Sequence, residues 1–142
     1  MARPWHNARH KLYRKAGARH DRRVVQGPSG QRTPTCGEIR EILIGNDYPY
    51  LNIAIAQDIK PTRAHYHKEF DEIYFVLDGS MNLKFFDHVT EKTWTQQLGA
   101  DELCVIGKGI HHKVIEASDK NRLCVITVPR FEESDEHLSD KI

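Results

Sequence analysis

The sequence has little of what would set it apart from an ordinary globular domain. It contains only three cysteines, Cys36, Cys104 and Cys124, and none of them forms a CxxC pair. An odd number without paired spacing indicates neither a disulfide framework nor a cysteine zinc site. Free thiols are typical of a reducing compartment, which we take to be the cytoplasm.

Long hydrophobic runs are also absent. The longest apolar stretches, such as 103–106 and 123–128, are far shorter than the roughly 20 residues that a membrane-spanning helix needs. No apolar segment follows the basic start, so a secretory signal is not expected. A chain of 142 residues is long enough for one hydrophobic core and too short for two, which predicts a single domain.

The formal net charge of +1 conceals an uneven distribution. Residues 1–23 contain eight Lys or Arg and one acid, so the remainder carries a net charge of −6. Apolar residues from Trp5 to Ala16 recur at intervals of three and four, a weak signal for an amphipathic helix. Four interpretations stay open: a solvated arm, a helix docked on the body or on a partner subunit, a nucleic-acid or membrane-surface patch, and an organellar presequence.

Differences in composition and charge along the sequence divide the chain into three parts. Residues 1–28 are predicted to be a basic arm and linker, 29–130 the folded domain, and 131–142 an acidic tail that is helical or frayed. A Gly, Pro, Ser and Thr cluster at 26–37 indicates a loop. No DNA-reading motif is present and no apolar run could span a bilayer, so we expect neither a nucleic-acid nor a membrane partner.

The folded part predicts an all-β sandwich or small barrel. Short apolar stretches with turn signals between them favour strands, and no long helix is indicated. The turn at 45–47 is one such signal, and Asp78-Gly79 predicts a hairpin between the strands on either side of it. The predicted strands cover 39–44, 50–57, 72–77, 81–87, 93–98, 102–106, 114–116 and 123–128.

One short stretch, 60–79, carries the chemistry. His65 and His67 are separated by one residue, so on a strand both imidazoles face the same side. Glu72 follows after four residues and adds a carboxylate oxygen from the same strip of chain. Two ring nitrogens and a carboxylate in this order indicate a metal site.

The spacing HxH, four residues, Glu, six residues, Gly resembles the first motif of the cupin family. Residues 99–112 resemble the second motif: Gly109 matches its last glycine and His112 its histidine, whereas Gly107 stands where the family has proline. The resemblance implies a cupin double-stranded β-helix, or jelly-roll barrel. It also implies one divalent metal, Fe, Mn, Ni or Zn, bound by His65, His67, Glu72 and His112, since three imidazoles and a carboxylate suit these ions.

Other residues are candidates for roles around that metal. Alternation along 72–77 places Tyr74 on the same face as Glu72, where its hydroxyl could serve catalysis, and His111 is a candidate acid or base at the pocket rim. Arg40 and Arg63 are candidates for binding a substrate carboxylate or phosphate.

The resemblance leaves several functions open. We expect a metal-dependent enzyme acting on a small organic molecule, with oxygenase-type chemistry favoured over isomerase, epimerase, decarboxylase or lyase chemistry. The alternative is a non-catalytic metal-binding or ligand-sensing module. We also expect a homodimer, with Phe86 as a candidate contact.

Overall fold

The computed structural model describes residues 30–44 and 48–142, which form β-strands and one short 3-10 helix, Glu133–Asp135. The basic segment 1–23 and the turn predicted at 45–47 lie outside these residues. No helix within the described ranges is long and apolar enough to cross a membrane. The strands are β1 (Gln31–Thr33), β2 (Gly37–Leu43), β3 (Asn52–Gln57), β4 (His65–Tyr66), β5 (Asp71–Asp78), β6 (Ser80–Asp87), β7 (Lys92–Gly99), β8 (Leu103–Ile106), β9 (Ile110–Ala117), β10 (Arg122–Val128) and β11 (His137–Leu138).

The strands form two antiparallel sheets, which confirms the all-β prediction. The larger sheet has the order β1-β2-β3-β10-β5-β8, and the smaller one has the order β11-β4-β9-β6-β7. Most neighbours in a sheet are far apart in sequence, as β10 is from both β3 and β5. Segments that are distant in the sequence therefore lie side by side.

The core lies between the sheets. Alternation directs Tyr74 and Val76 inward from β5, and Met81, Leu83 and Phe85 inward from β6; all five are at most 2% exposed. Since successive side chains on a strand face opposite ways, this period of two decides which residues face the interior. The inner faces of both sheets thus supply one hydrophobic core.

The turn at Asp78-Gly79 does not form the predicted hairpin. β5 pairs with β10 and β8 in the larger sheet, whereas β6 pairs with β7 and β9 in the smaller one. The turn therefore carries the chain from one sheet to the other. The sequence signal identified a tight turn but not the partners of the strands, because those partners are set by packing between distant segments.

Gly79 is required at this corner. It has a φ of +77°, and a Cβ atom there would meet the Lys120 carbonyl oxygen and the Ser118 hydroxyl. We expect Gly79→Ala to lower the free energy of unfolding by about 3 kcal/mol, from left-handed backbone strain and steric overlap together. Urea denaturation followed by circular dichroism measures this loss.

Gly99→Ala is the matched control, because Gly99 has no positive φ and its nearest contact would be 3.5 Å away. It should change stability by less than about 0.5 kcal/mol. Equal losses for the two variants would contradict the conformational argument.

Two segments differ from the sequence predictions. Gln31–Thr33, expected to be loop, forms β1 and pairs with β2. The tail, expected to be helical or frayed, contains the 3-10 helix and β11, which pairs with β4. Both segments are short, and their neighbours in space rather than their composition determine their structure.

Candidate metal centre

The HxH strip lies on the inner face of the smaller sheet. β4 directs His65 inward and Tyr66 outward, and the next residue, His67, faces inward again. Tyr66 stacks on the outer surface against the rings of His111 and His137. The two histidines on either side of Tyr66 thus face the interior together, as their spacing predicted.

The structure brings the four predicted ligands together. The donor atoms of His65, His67, Glu72 and His112 all lie within 4.8 Å of one another. All four residues are at most 4% exposed. His65 and His112 are opposite each other in the β4 and β9 pair, whereas Glu72 comes from β5 in the other sheet. The group therefore joins the inner faces of both sheets.

The three imidazoles share one arrangement of hydrogen bonds. The Nδ1 atoms of His65, His67 and His112 lie 3.4, 3.0 and 3.1 Å from the backbone oxygens of Arg63, Asp135 and Ile110, respectively. A carbonyl oxygen only accepts, so Nδ1 carries the proton and donates it. In the neutral form of such a ring, Nε2 carries no proton and is the atom that can bind a metal.

The Nε2 atoms face the centre of the group. Those of His65 and His67 are buried without a hydrogen-bond partner in the described part of the chain. Glu72 Oε2 lies 3.0 Å from His112 Nε2 and 3.5 Å from His67 Nε2. Buried polar atoms without partners are costly, and an ion bound between them would remove that cost. The residues therefore fit a divalent metal.

The electrostatics favour the ligand forms of His65 and Glu72. Burial lowers the pKa of His65 to about 3, so its ring is neutral near pH 7. For Glu72, burial acts to raise the pKa, but the neighbouring rings of His112 and His67 outweigh it and hold the pKa below its usual value. The site thus combines an uncharged nitrogen donor with a charged oxygen donor.

Comparison with solved structures identifies the architecture. Oxalate decarboxylase from Bacillus subtilis at pH 4.6 matches with a TM-score of 0.65 and 17% identity over 82% of this chain and 32% of the other. A protein from Planctomyces limnophilus matches with a TM-score of 0.60 and 20% identity over 87% of this chain and 97% of the other. This chain has the cupin fold.

Another structure of the Bacillus subtilis enzyme, concerned with its Mn(II) centres, matches with a TM-score of 0.62 and 15% identity, over 82% of this chain and 33% of the other. This chain spans about a third of the length of the oxalate decarboxylase chains that it matches. No protein-family model matches the sequence, and no curated protein matches it.

The C-terminal tail positions one of the predicted ligands. The backbone oxygen of Asp135 accepts the hydrogen bond from His67 Nδ1, and its carboxylate accepts from the backbone N–H groups of Lys68 and Glu69. His137 Nε2 lies 3.1 Å from the same carboxylate. Although burial acts to raise the pKa of Asp135, these hydrogen bonds lower it. This role was not predictable from the sequence, because Asp135 stands among other acids and no spacing distinguishes it.

A polar wall of the larger sheet faces the metal group. Tyr74 is 2% exposed, and its hydroxyl interacts with the Glu72 carboxylate and the Cys36 thiol. Burial raises the pKa of both Tyr74 and Cys36, so both are protonated near neutral pH. Thr127 faces Glu72 across the β10 and β5 pair, and its hydroxyl is buried without a hydrogen-bond partner among the described residues. The position of Thr127 and Cys36 beside the metal group was not predictable from the sequence, since each stands alone in an apolar or loop-like stretch.

The structure does not bring the other candidates to the metal group. His111 lies on the outer face of the smaller sheet, stacked on Tyr66 with Nδ1 2.6 Å from the Ser139 hydroxyl. Arg40 pairs with Ile55 on the outer face of the larger sheet, and Arg63 is exposed. Adjacent strand residues face opposite ways, which separates His111 from His112.

Proposed function

We propose that this cupin is a metal-dependent enzyme that acts on a small organic molecule by oxygenase-type chemistry. The observation that carries the proposal is the buried group of three imidazoles and one carboxylate beside the polar wall of Tyr74 and Thr127. In a structural metal site, protein ligands fill all coordination positions of the ion. An ion that accepts six ligands would keep two positions open beyond these four, which is typical of a catalytic site.

The donor set suits Fe, Mn, Ni or Zn. His65, His67, Glu72 and His112 would hold the ion, and no cysteine takes part in the group. Manganese is the first metal to test, because the Bacillus subtilis oxalate decarboxylase has Mn(II) centres. When bound, such an ion supplies a Lewis acid for substrate oxygens and a site for dioxygen.

The residues of the chain bind and orient the substrate. The Thr127 hydroxyl is an available hydrogen-bond partner close to Glu72. The protonated Tyr74 hydroxyl can donate a hydrogen bond to a substrate oxygen in place of Glu72. The rings of His67 and Phe70 stack with centroids 4.2 Å apart, and Phe70 is 1% exposed, so an apolar side of the site excludes water. These features fit a small substrate that presents oxygen atoms.

Oxygen uptake tests the reaction type. Protein loaded with Fe(II) or Mn(II) is incubated aerobically with diketones, thiols, catechols and oxalate, and dissolved oxygen and released CO2 are both measured. We expect net oxygen consumption with at least one of these compounds. CO2 release without net oxygen consumption would favour decarboxylation, the alternative that the likeness to oxalate decarboxylase supports. Tight metal binding without either reaction would favour a non-catalytic binding module.

Replacement of Tyr74 tests the polar wall. Tyr74→Phe removes only the hydroxyl, and we expect the turnover rate on the identified substrate to fall about tenfold to a hundredfold, because a buried hydrogen bond to the reacting molecule is lost. Metal content should not change. Tyr66→Phe is the matched control, since Tyr66 lies on the opposite face of the smaller sheet. Equal activity of Tyr74→Phe and the wild-type protein would contradict a substrate contact.

The three cysteines are free, which supports a reducing compartment. The cytoplasm is therefore part of the proposal. Fractionation of cells that express this chain of 142 residues tests the localisation, and recovery of the protein with a membrane or secreted fraction would contradict it.

A further inference from the structure

Three polar residues lie side by side on the inner face of the larger sheet. Thr127 of β10 is opposite Glu72 of β5 on one side and opposite Asn52 of β3 on the other. Side chains that are directly opposite each other in antiparallel strands share one face, so all three point to the interior. Each of them is at most 7% exposed. The row Glu72, Thr127, Asn52 therefore leads away from the metal group across two strands.

The hydrogen bond of Asn52 fixes the direction of its amide group. Its Oδ1 atom accepts from the backbone N–H of Phe131, 3.2 Å away. Because a backbone N–H only donates, the atom that faces it is the oxygen, and the –NH2 group lies on the other side. That nitrogen has no hydrogen-bond partner among the residues that the structure describes. The row thus offers an N–H donor at its far end and the unpartnered Thr127 hydroxyl in its middle.

A small side chain leaves space beside this row. Ala54 lies in the neighbouring row of the inner face, opposite Glu41 of β2 and Val125 of β10. Both of those residues are buried, whereas Ala54 is only half-buried. An inward position that keeps contact with solvent between buried neighbours indicates an opening between the sheets. A small molecule can reach the row from this side.

An apolar surface runs in the same direction as the polar row. The ring of Phe70 packs against His67 on one side and against Phe131 on the other, with centroids 4.2 and 5.6 Å apart. Phe131 is also the residue whose backbone N–H holds Asn52. The aromatic rings therefore extend from one of the predicted metal ligands to the far end of the row.

We propose that the row Glu72, Thr127, Asn52 selects the substrate by its length. This inference rests on the proposed function, because it concerns the same site. The substrate is a chain of about five or six carbons with oxygen atoms at both ends. One end binds beside Glu72 at the metal position, and an oxygen atom at the other end accepts a hydrogen bond from the Asn52 amide. Thr127 contacts the polar atoms near the metal end, and the apolar middle of the chain packs along Phe70.

The spacing of the strands gives the length. Neighbouring strands are about 4.8 Å apart, so Glu72 and Asn52 are separated by about 10 Å across β10. The side chains and the ion shorten the distance that the substrate has to cover, and a chain of about six bonds, each about 1.5 Å long, reaches across the remainder. A two-carbon compound such as oxalate reaches Thr127 but not Asn52. A carbonyl, hydroxyl or carboxylate oxygen can accept from the amide.

Binding of two matched compounds tests the proposal without turnover. The chain of 142 residues is loaded with Mn(II) in the absence of oxygen, and the Kd values of 2-oxohexanoate and 2,5-dioxohexanoate are measured by titration calorimetry. Both compounds have the same chelating end, and only the second has an oxygen atom on its fifth carbon. We expect the second compound to bind about tenfold more tightly, because it gives the buried Asn52 donor a partner.

Asn52→Asp is the most informative variant, because it keeps an oxygen that accepts from Phe131 and replaces the –NH2 donor by a second acceptor. The two compounds should then bind with Kd values within about twofold of each other. Thr127→Val removes the hydroxyl at nearly constant volume and should weaken both compounds equally, by about tenfold. Neither change should alter the metal content. Asn82→Asp, on the outer face of the smaller sheet, is the control for the added charge and should leave both Kd values unchanged.

Three results would overturn the proposal: equal Kd values for the two compounds on the unmodified protein, no binding of either compound, or a preference that persists in Asn52→Asp. The comparison on the unmodified protein gives a result even if a variant fails to fold. Its failure is also distinct from failure of the proposed function. Turnover of a substrate without the preference would contradict the length selection alone, whereas the preference without any turnover would contradict the enzymatic function alone.

Discussion

Replacing His112 by alanine is expected to reduce the bound divalent metal from about one ion per chain to less than a tenth of that at micromolar metal. His112 is 1% exposed and contributes the fourth donor of the group, with Nε2 3.0 Å from Glu72. Its loss leaves three donors and removes the contact between His112 and Glu72, which lie on different sheets. The measurement is elemental analysis of protein that has been loaded with Mn(II) or Fe(II) and desalted.

His111→Ala is the control for this variant. The two histidines are neighbours in β9, yet His111 faces the outer surface and bonds to Ser139. Its replacement should leave the metal content within the error of the wild-type value. If both variants lost the ion equally, the effect would reflect damage to β9 and the assignment of His112 as a ligand would fail.

Asp135→Ala is expected to weaken metal binding about tenfold to a hundredfold, although Asp135 contributes no donor atom to the group. Its carboxylate accepts hydrogen bonds from Lys68 and Glu69 and holds the backbone oxygen that receives the proton of His67 Nδ1. Alanine retains that oxygen but loses its anchor, so the ring of His67 is no longer held in orientation. Hydrogen bonds to a charged acceptor are worth about 1.5 to 3 kcal/mol each, so the free energy of unfolding should also fall by a few kcal/mol.

Competition with a chelator, well below the unfolding temperature, separates these two effects because it measures the metal Kd of folded protein. Asp135→Asn keeps one acceptor oxygen and should recover part of the affinity. Asp140→Ala, an exposed change in the same acidic tail, should alter neither quantity. An unchanged metal Kd in Asp135→Ala would show that the tail contributes stability alone.

The features of the fold that depend on residues close together in the sequence were predictable. Alternation identified β5 and β6, and the β-class followed from many short strands with turns between them. The partner of each strand was not predictable, because the corner at Gly79 has the same sequence signature as a hairpin turn. β1 was hidden among loop-forming residues, since its pairing with β2 does not require apolar side chains.

The four residues of the metal group were easier to predict from the sequence than the residues around them. His65, His67 and Glu72 lie within one short stretch of chain, so their spacing alone predicts that their side chains lie close together. Asp135, by contrast, reaches the site only because β11 pairs with β4. Thr127 faces the site because of the register between β10 and β5, and a shift of one residue would turn it outward. Contacts set by pairing between distant segments leave no pattern in a single sequence.

Glu72 lies on one sheet, and the three imidazoles lie on or beside the strands of the other. This placement has a consequence for engineering. The thickness of the sandwich sets the distance between the oxygen and nitrogen donors. Bulkier side chains at Val76 or Leu83, which are fully buried between the sheets, would spread the layers and widen the coordination sphere without touching it. Metal preference in this protein should therefore be adjustable from its hydrophobic interior.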